Sequence, residues 1–97
     1  MSNLSSIERI KLEKLLDMSG GYVLDFSNRT FDDFVLENTG LGISETKYID
    51  IDASSSKANR LRSFWRQESN HLVGKLLLAL LEYCVLAVHF LKLYIPR

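Results

Sequence analysis

Residues 76–95 read LLLALLEYCVLAVHFLKLYI. The run is close to the about 20 residues needed to cross a bilayer. Glu82, His89 and Lys92 interrupt it. An acid at the centre of a span costs about 2.5–3.5 kcal/mol on insertion scales, which speaks against a membrane anchor. A helix with so few polar positions still needs cover on nearly every side. The spacing predicts one long helix from Leu72 to Ile95, central in its domain, with three others around it. Self-association through an exposed part of this helix is the alternative. The tail 84–97, CVLAVHFLKLYIPR, sharpens it, being too apolar to stand in water without some burial.

The rest of the chain supplies the other three helices. Ser5 followed by Glu8 has the capping-box spacing, hydroxyl to a backbone N–H ahead and carboxylate back to the cap. Ile7, Ile10, Leu12, Leu15, Leu16 and Met18 then recur at mostly helical intervals, and Gly20-Gly21 is the expected stop. Residues 25–34, DFSNRTFDDF, pose a choice between an acidic site and a helix start. Thr30 and Asp33 again have capping-box spacing. Asp32 and Asp33 would lie in a first turn, where the helix dipole favours negative charge, and Phe31, Phe34 and Val35 would share one side. A metal or acid–base site would want carboxylates converging from different elements with His nearby, and none is near in sequence. Asn38-Thr39-Gly40 closes this helix. Tyr22–Phe26 and Tyr48–Asp52 could be two short extended pieces, paired and packed on helices. Ser54-Ser55-Ser56 precedes a further helix in which Ala58, Leu61, Phe64 and Trp65 form an apolar stripe. Ser69-Asn70 offers a cap or a kink before the last helix. The expected fold is mainly α, a compact single domain over 1–97 of about four helices, near 5–18, 30–38, 56–68 and 70–94, with up to two short extended segments.

Composition narrows the class. The 97 residues are 46% apolar and 25% charged, as in an ordinary globular chain with one core. The lone Cys84 cannot close an internal disulfide, which suits a reducing cytoplasm, and the first twenty residues lack the pattern of a signal peptide. Net charge is zero but unevenly spread. Residues 1–53 hold five Lys/Arg against ten acids, and residues 54–97 hold seven Lys/Arg against Glu68 and Glu82. An acidic face and a basic face would steer a copy toward another copy or a charged partner.

The pattern LEKLLDMSGGYVLDFSNRTFDDFV, then KY, SKANRLRSFW and ES-x-x-LVGKLLLALLEY, resembles the small N-terminal domain of abortive-infection proteins of the AbiJ type and of other bacterial phage-defence proteins. The resemblance covers roughly residues 7–83 and leaves 84–97 as an apolar C-terminal extension. It implies an accessory module for sensing, partner binding or oligomerisation, placed ahead of an effector, often a predicted nuclease or ATPase. No effector domain is visible in this chain.

Two chemical alternatives carry named residues. Arg66 and His71 fit R-x4-H, the spacing of the ribonuclease motif in all-helical HEPN domains. There Arg could hold a phosphate and His could move the 2′-OH proton. Any Arg followed by His at this interval matches. Lys57, Arg60, Arg62 and Arg66 with Phe64 and Trp65 would make a basic helix for nucleic acid, but the cations are few and the aromatics share the apolar stripe. His71 and His89 are five helical turns apart and cannot share a metal on one helix. Gly20-Gly21 lacks the Lys-Ser/Thr of a phosphate loop, so no metal or cofactor is implied. The expected function is a non-enzymatic protein-interaction, oligomerisation or sensing module of a bacterial defence or signalling protein. Its partner is a second copy or an effector. The partner-binding candidates are Arg60, Arg62 and Arg66, with Phe90, Leu91 and Tyr94 on the last helix and Asp32, Asp33 and Glu37 as acidic counterparts.

Overall fold

The computed structural model describes residues 2–49 and 54–94, and side chains as far as residue 85. Four helices follow one another: α1 (Ser6–Leu15), α2 (Asn28–Thr39), α3 (Lys57–Gln67) and α4 (Asn70–Tyr94). A 3-10 turn, Thr46–Tyr48, lies between α2 and α3. The mainly α class stands. The described residues contain no strand, and the proposed extended piece 48–52 begins instead on that 3-10 turn. Residues 50–52 lie outside the described residues.

Each helix start is written in its cap. In α1, Ser5 Oγ accepts from the Glu8 N–H at 3.2 Å, and the Glu8 carboxylate accepts from the Ser5 N–H at 2.9 Å. The Ser5 N–H foremost, and the Ser5 hydroxyl after it, hold the Glu8 carboxyl below its ordinary pKa. The helix stops at Leu15, well before the expected Gly20-Gly21, and Asp17 takes the left-handed conformation at φ 53°. Burial explains the early stop. Leu16 and Met18 are both in the core. Two positions apart on a helix they would point in nearly opposite directions, so burying both requires the chain to leave the helix between them. Gly21, itself at φ 86°, presents its carbonyl to the Ala58 N–H at 3.1 Å and so ties this turn to the start of α3.

The cap of α2 is Ser27, not Thr30. Ser27 Oγ accepts from the Thr30 N–H at 3.1 Å, and Thr30 Oγ1 accepts from the Ser27 N–H at 2.9 Å. Asp32 and Asp33 therefore sit in the second turn, where the helix dipole has faded. The packing of rings decides the register. With Ser27 as cap, Phe26 precedes the cap and Phe31 is the fourth helical residue, the positions of a hydrophobic staple, and their rings lie 5.6 Å apart. Gly40, left-handed at φ 77°, ends α2 with its N–H on the Leu36 carbonyl.

Ser56 caps α3 by accepting from the Asn59 N–H at 3.2 Å, and its expected stripe is the centre of the core: Ala58, Leu61, Phe64 and Trp65 are all buried. Glu68 is extended and breaks the helix, and Ser69 Oγ accepts from the Leu72 N–H at 3.3 Å to start α4. The core joins these residues to Val35, Ile43 and Tyr48, and to Val73, Leu76 and Leu80 from one face of α4. Beside it Phe26, Phe34 and Tyr83 form a ring cluster with centroids 4.7–6.1 Å apart, which seats α4 on α2.

Candidate interaction surface

The expected central position of the last helix is not what its described part adopts. α4 has two faces. Val73, Leu76 and Leu80 are at most 3% exposed, whereas Leu78 is 63%, Leu81 39% and Val85 67% exposed. Both sets recur at alternating intervals of three and four residues, so each is a straight stripe along one side. The inward stripe meets the core, and the outward one forms an open apolar hollow lined by Leu78, Leu81, Glu82 and Val85. Its location follows from the fold: α2 and the core cover one side of α4, and no described element reaches the other. Leu36 on α2 and Ile7, Ile10 and Leu15 on α1 are likewise exposed. The apolar spacing read in α1 thus does not mark a buried stripe. No α1 residue is buried, and the helix leans on the domain through Leu12 and the polar tie described next.

Of the polar candidates, Arg62 and Asp32 are engaged within the chain. Arg62 donates from Nε and Nη2 to Glu13 Oε1 at 3.1 and 2.5 Å, and from Nη1 to Asn59 Oδ1 at 2.7 Å. Arg60 is half-buried, and among the described residues nothing accepts from its buried Nε. Arg66 is exposed at the end of α3, on the rim of a hollow between α1 and α3 lined also by Arg9, Ile10, Glu13 and Trp65. The N-terminal residues pass over this corner. The Ser2 hydroxyl donates to the Trp65 carbonyl, and the Asn3 N–H to Asn70 Oδ1 at 2.7 Å. His71 is exposed in the first turn of α4 and does not line either described hollow beside Arg66.

The acids of the 25–34 stretch divide. Asp25 accepts from the Tyr83 hydroxyl at 2.5 Å, which raises the phenol's pKa, and so braces the ring cluster. Asp32 accepts from the Ser44 N–H and hydroxyl at 3.3 and 3.0 Å and fastens the loop after α2. Asp33 and Glu37 are exposed one turn apart on α2. Phe90, Leu91 and Tyr94 fall outside the residues whose side chains are described. Among the described residues no three His, Cys, Asp or Glu side chains converge as they would around a metal ion. Nor, among them, is any helix long and apolar enough to cross a membrane.

A further polar cluster was not signalled by any motif. The buried ring of Tyr48 stacks on Phe64, its hydroxyl donates to Glu68 Oε2 at 2.8 Å, and Lys47 Nζ meets the same oxygen at 2.8 Å. Lys47, then Tyr48, hold the Glu68 carboxyl below its usual pKa, while burial and the bond to Glu68 push Tyr48 up to about 12. The cluster clasps the 3-10 turn to the break between α3 and α4. With the Glu13–Arg62 pair it also joins the acidic first half of the chain to the basic second half. The outward stripe of α4 was legible in principle, since Leu78, Leu81 and Val85 have heptad spacing, but Leu or Ala at most neighbouring positions hid it. Compared with protein-family models, with curated proteins and with solved structures, the chain matches none.

Proposed function

We propose that this chain is a non-enzymatic protein-interaction module that docks a protein through the outward face of α4. The observation that carries the reading is the Leu78–Leu81–Val85 stripe, three large apolar side chains in a row on a helix whose opposite face already completes the core. Such a contiguous apolar surface is costly in water and is favoured where a partner covers it. Part of the polar set singled out from the sequence is not available to that partner. Arg62, Asp25 and Asp32 spend their hydrogen bonds on the fold. Together with the resemblance of residues 7–83 to the N-terminal domain of AbiJ-type proteins, the module is assigned to a bacterial defence or signalling protein acting in the cytoplasm, where it senses, docks an effector or assembles.

The test is a photo-reactive amino acid at Leu78, in the whole protein expressed in bacterial cells. A discrete protein adduct is expected, and it should vanish when Leu81 and Val85 are both changed to Lys in a variant that keeps its helical content. Absence of any protein adduct would overturn the reading. RNA cleavage by the pure protein that disappears in His71→Ala would replace it with the ribonuclease alternative.

A further inference from the structure

The outward face of α4 carries a heptad pattern. In heptad terms Leu78 and Val85 are a positions, Gly74 and Leu81 are d positions, and Lys75 and Glu82 are e positions. All six are exposed or half-exposed, while Val73, Leu76, Leu80 and Tyr83 at c and f point to the core. The helix therefore divides cleanly, with a, d and e outward.

Three features of this face are self-complementary. In an antiparallel pair, a residues layer against d residues of the other helix, so Leu78 meets Leu81 of the second copy and Gly74 meets its Val85. Four layers then cover roughly 16 Å of helix. The same register brings e residues of the two copies together. Lys75 of one lies beside Glu82 of the other, and the two-fold axis repeats the pair. In a parallel pair e residues face g residues instead, and the two charges would not meet.

Gly74 adds an independent point. A glycine inside a helix is less stable than alanine there. A methyl group on Gly74 would meet nothing within 4 Å, so the domain's own packing does not require the glycine. Opposite a Val of a second helix, the missing side chain leaves room for close approach.

We infer that the partner covering this face is a second copy of the chain, bound antiparallel through α4, with Lys75 and Glu82 exchanging ion pairs across the two-fold. The inference rests on the interaction-module reading and names its occupant. The experiment uses the whole chain, by sedimentation and light scattering over a concentration series. Wild type should form a dimer. Lys75→Glu and Glu82→Lys should each raise the dimer dissociation constant by about tenfold, since both ion pairs become like-charge contacts. An equimolar mixture of the two variants should restore dimerisation, because one then offers Glu at both positions and the other Lys at both. A chain monomeric at every concentration overturns the inference, and so does a dimer indifferent to both variants or one that the mixture does not restore. If the chain is monomeric while the cross-linker at position 78 captures a different protein, this inference falls and the interaction reading stands. If neither a dimer nor an adduct forms, both fall.

Discussion

Leu78 and Leu80 are the same residue on the same helix two positions apart, and truncating each to Ala tests the division of α4. Leu80 is fully buried. Removing its outer carbons from a closed core should cost about 2–5 kcal/mol, combining lost transfer energy with an unfilled cavity. Leu78 is 63% exposed, so only about a third of its side chain is covered. Three carbons at about 0.8 kcal/mol each, scaled to that third, come to under about 1 kcal/mol. The better helix propensity of Ala trims this further. For a domain of this size each kcal/mol moves Tm by about 4–8 °C. Leu80→Ala should thus fall by about 10 °C or more, and Leu78→Ala by no more than about 6 °C. The assay is thermal unfolding by circular dichroism at a concentration low enough that any dimer is dissociated. That precaution matters, because assembly stabilises the native state by mass action and would inflate the cost at Leu78. Equal losses at the two positions in dilute solution would refute the two-faced helix and return α4 to the centre of the bundle. Repeating the scan at high concentration adds a second reading from the same proteins. Wild type should gain Tm with concentration, and Leu78→Ala should gain less.

Two further predictions concern the ties that set the fold. Tyr48→Phe keeps the ring on Phe64 but loses the bond to Glu68, at about 1 kcal/mol near neutral pH by denaturant unfolding. The folded pKa of about 12 exceeds the unfolded value of about 10. The Tyr48 contribution is therefore complete below about pH 10 and lost as pH rises toward 12, so wild type should lose stability over that window more steeply than Tyr48→Phe. Ser27→Ala should cost about 1 kcal/mol, measured by the same unfolding, whereas Ser55→Ala, at an exposed serine that caps no helix, should be near neutral.

What could be read from the residues alone was whatever one residue type decides locally. Ser5 and Gly40 are caps in the sequence and caps in the structure, and the serine run before α3 supplies its cap from its last member, Ser56, because a hydroxyl one turn before a free N–H, or a glycine after the last turn, acts within a few residues. The α3 stripe was equally plain, since Lys57, Arg60, Arg62 and Arg66 alternate with its apolar members. Two local signals lost to longer-range packing. Thr30-x-x-Asp33 and Ser27-x-x-Thr30 are both capping spacings, and the contact between Phe26 and Phe31 chose the second. Asp17 turns the chain where Gly20-Gly21 would have been the better turner, because Leu16 and Met18 must both reach the core. The clasp of Lys47, Tyr48 and Glu68 spans about twenty residues and has no spacing to betray it.

The faces of α4 were hidden for a different reason. Amphipathic reading depends on polar residues marking the outside, and Leu72–Leu81 carries only Lys75 and Gly74 as breaks. The structure supplies the missing contrast by showing which leucines the rest of the chain covers. Most of Leu78 and Val85 stays uncovered by the described residues, where a polar residue would serve the same helix and improve solubility. Lys75 and Glu82 sharpen the point, for they are the two charges on that face and lie one heptad apart with opposite sign. Folding of one copy is indifferent to exchanging them. An antiparallel pair is indifferent only when both are exchanged together. The Lys75→Glu, Glu82→Lys double variant should therefore dimerise as wild type does while each single variant does not, a pattern that a merely greasy surface, or a partner of fixed charge, would not produce.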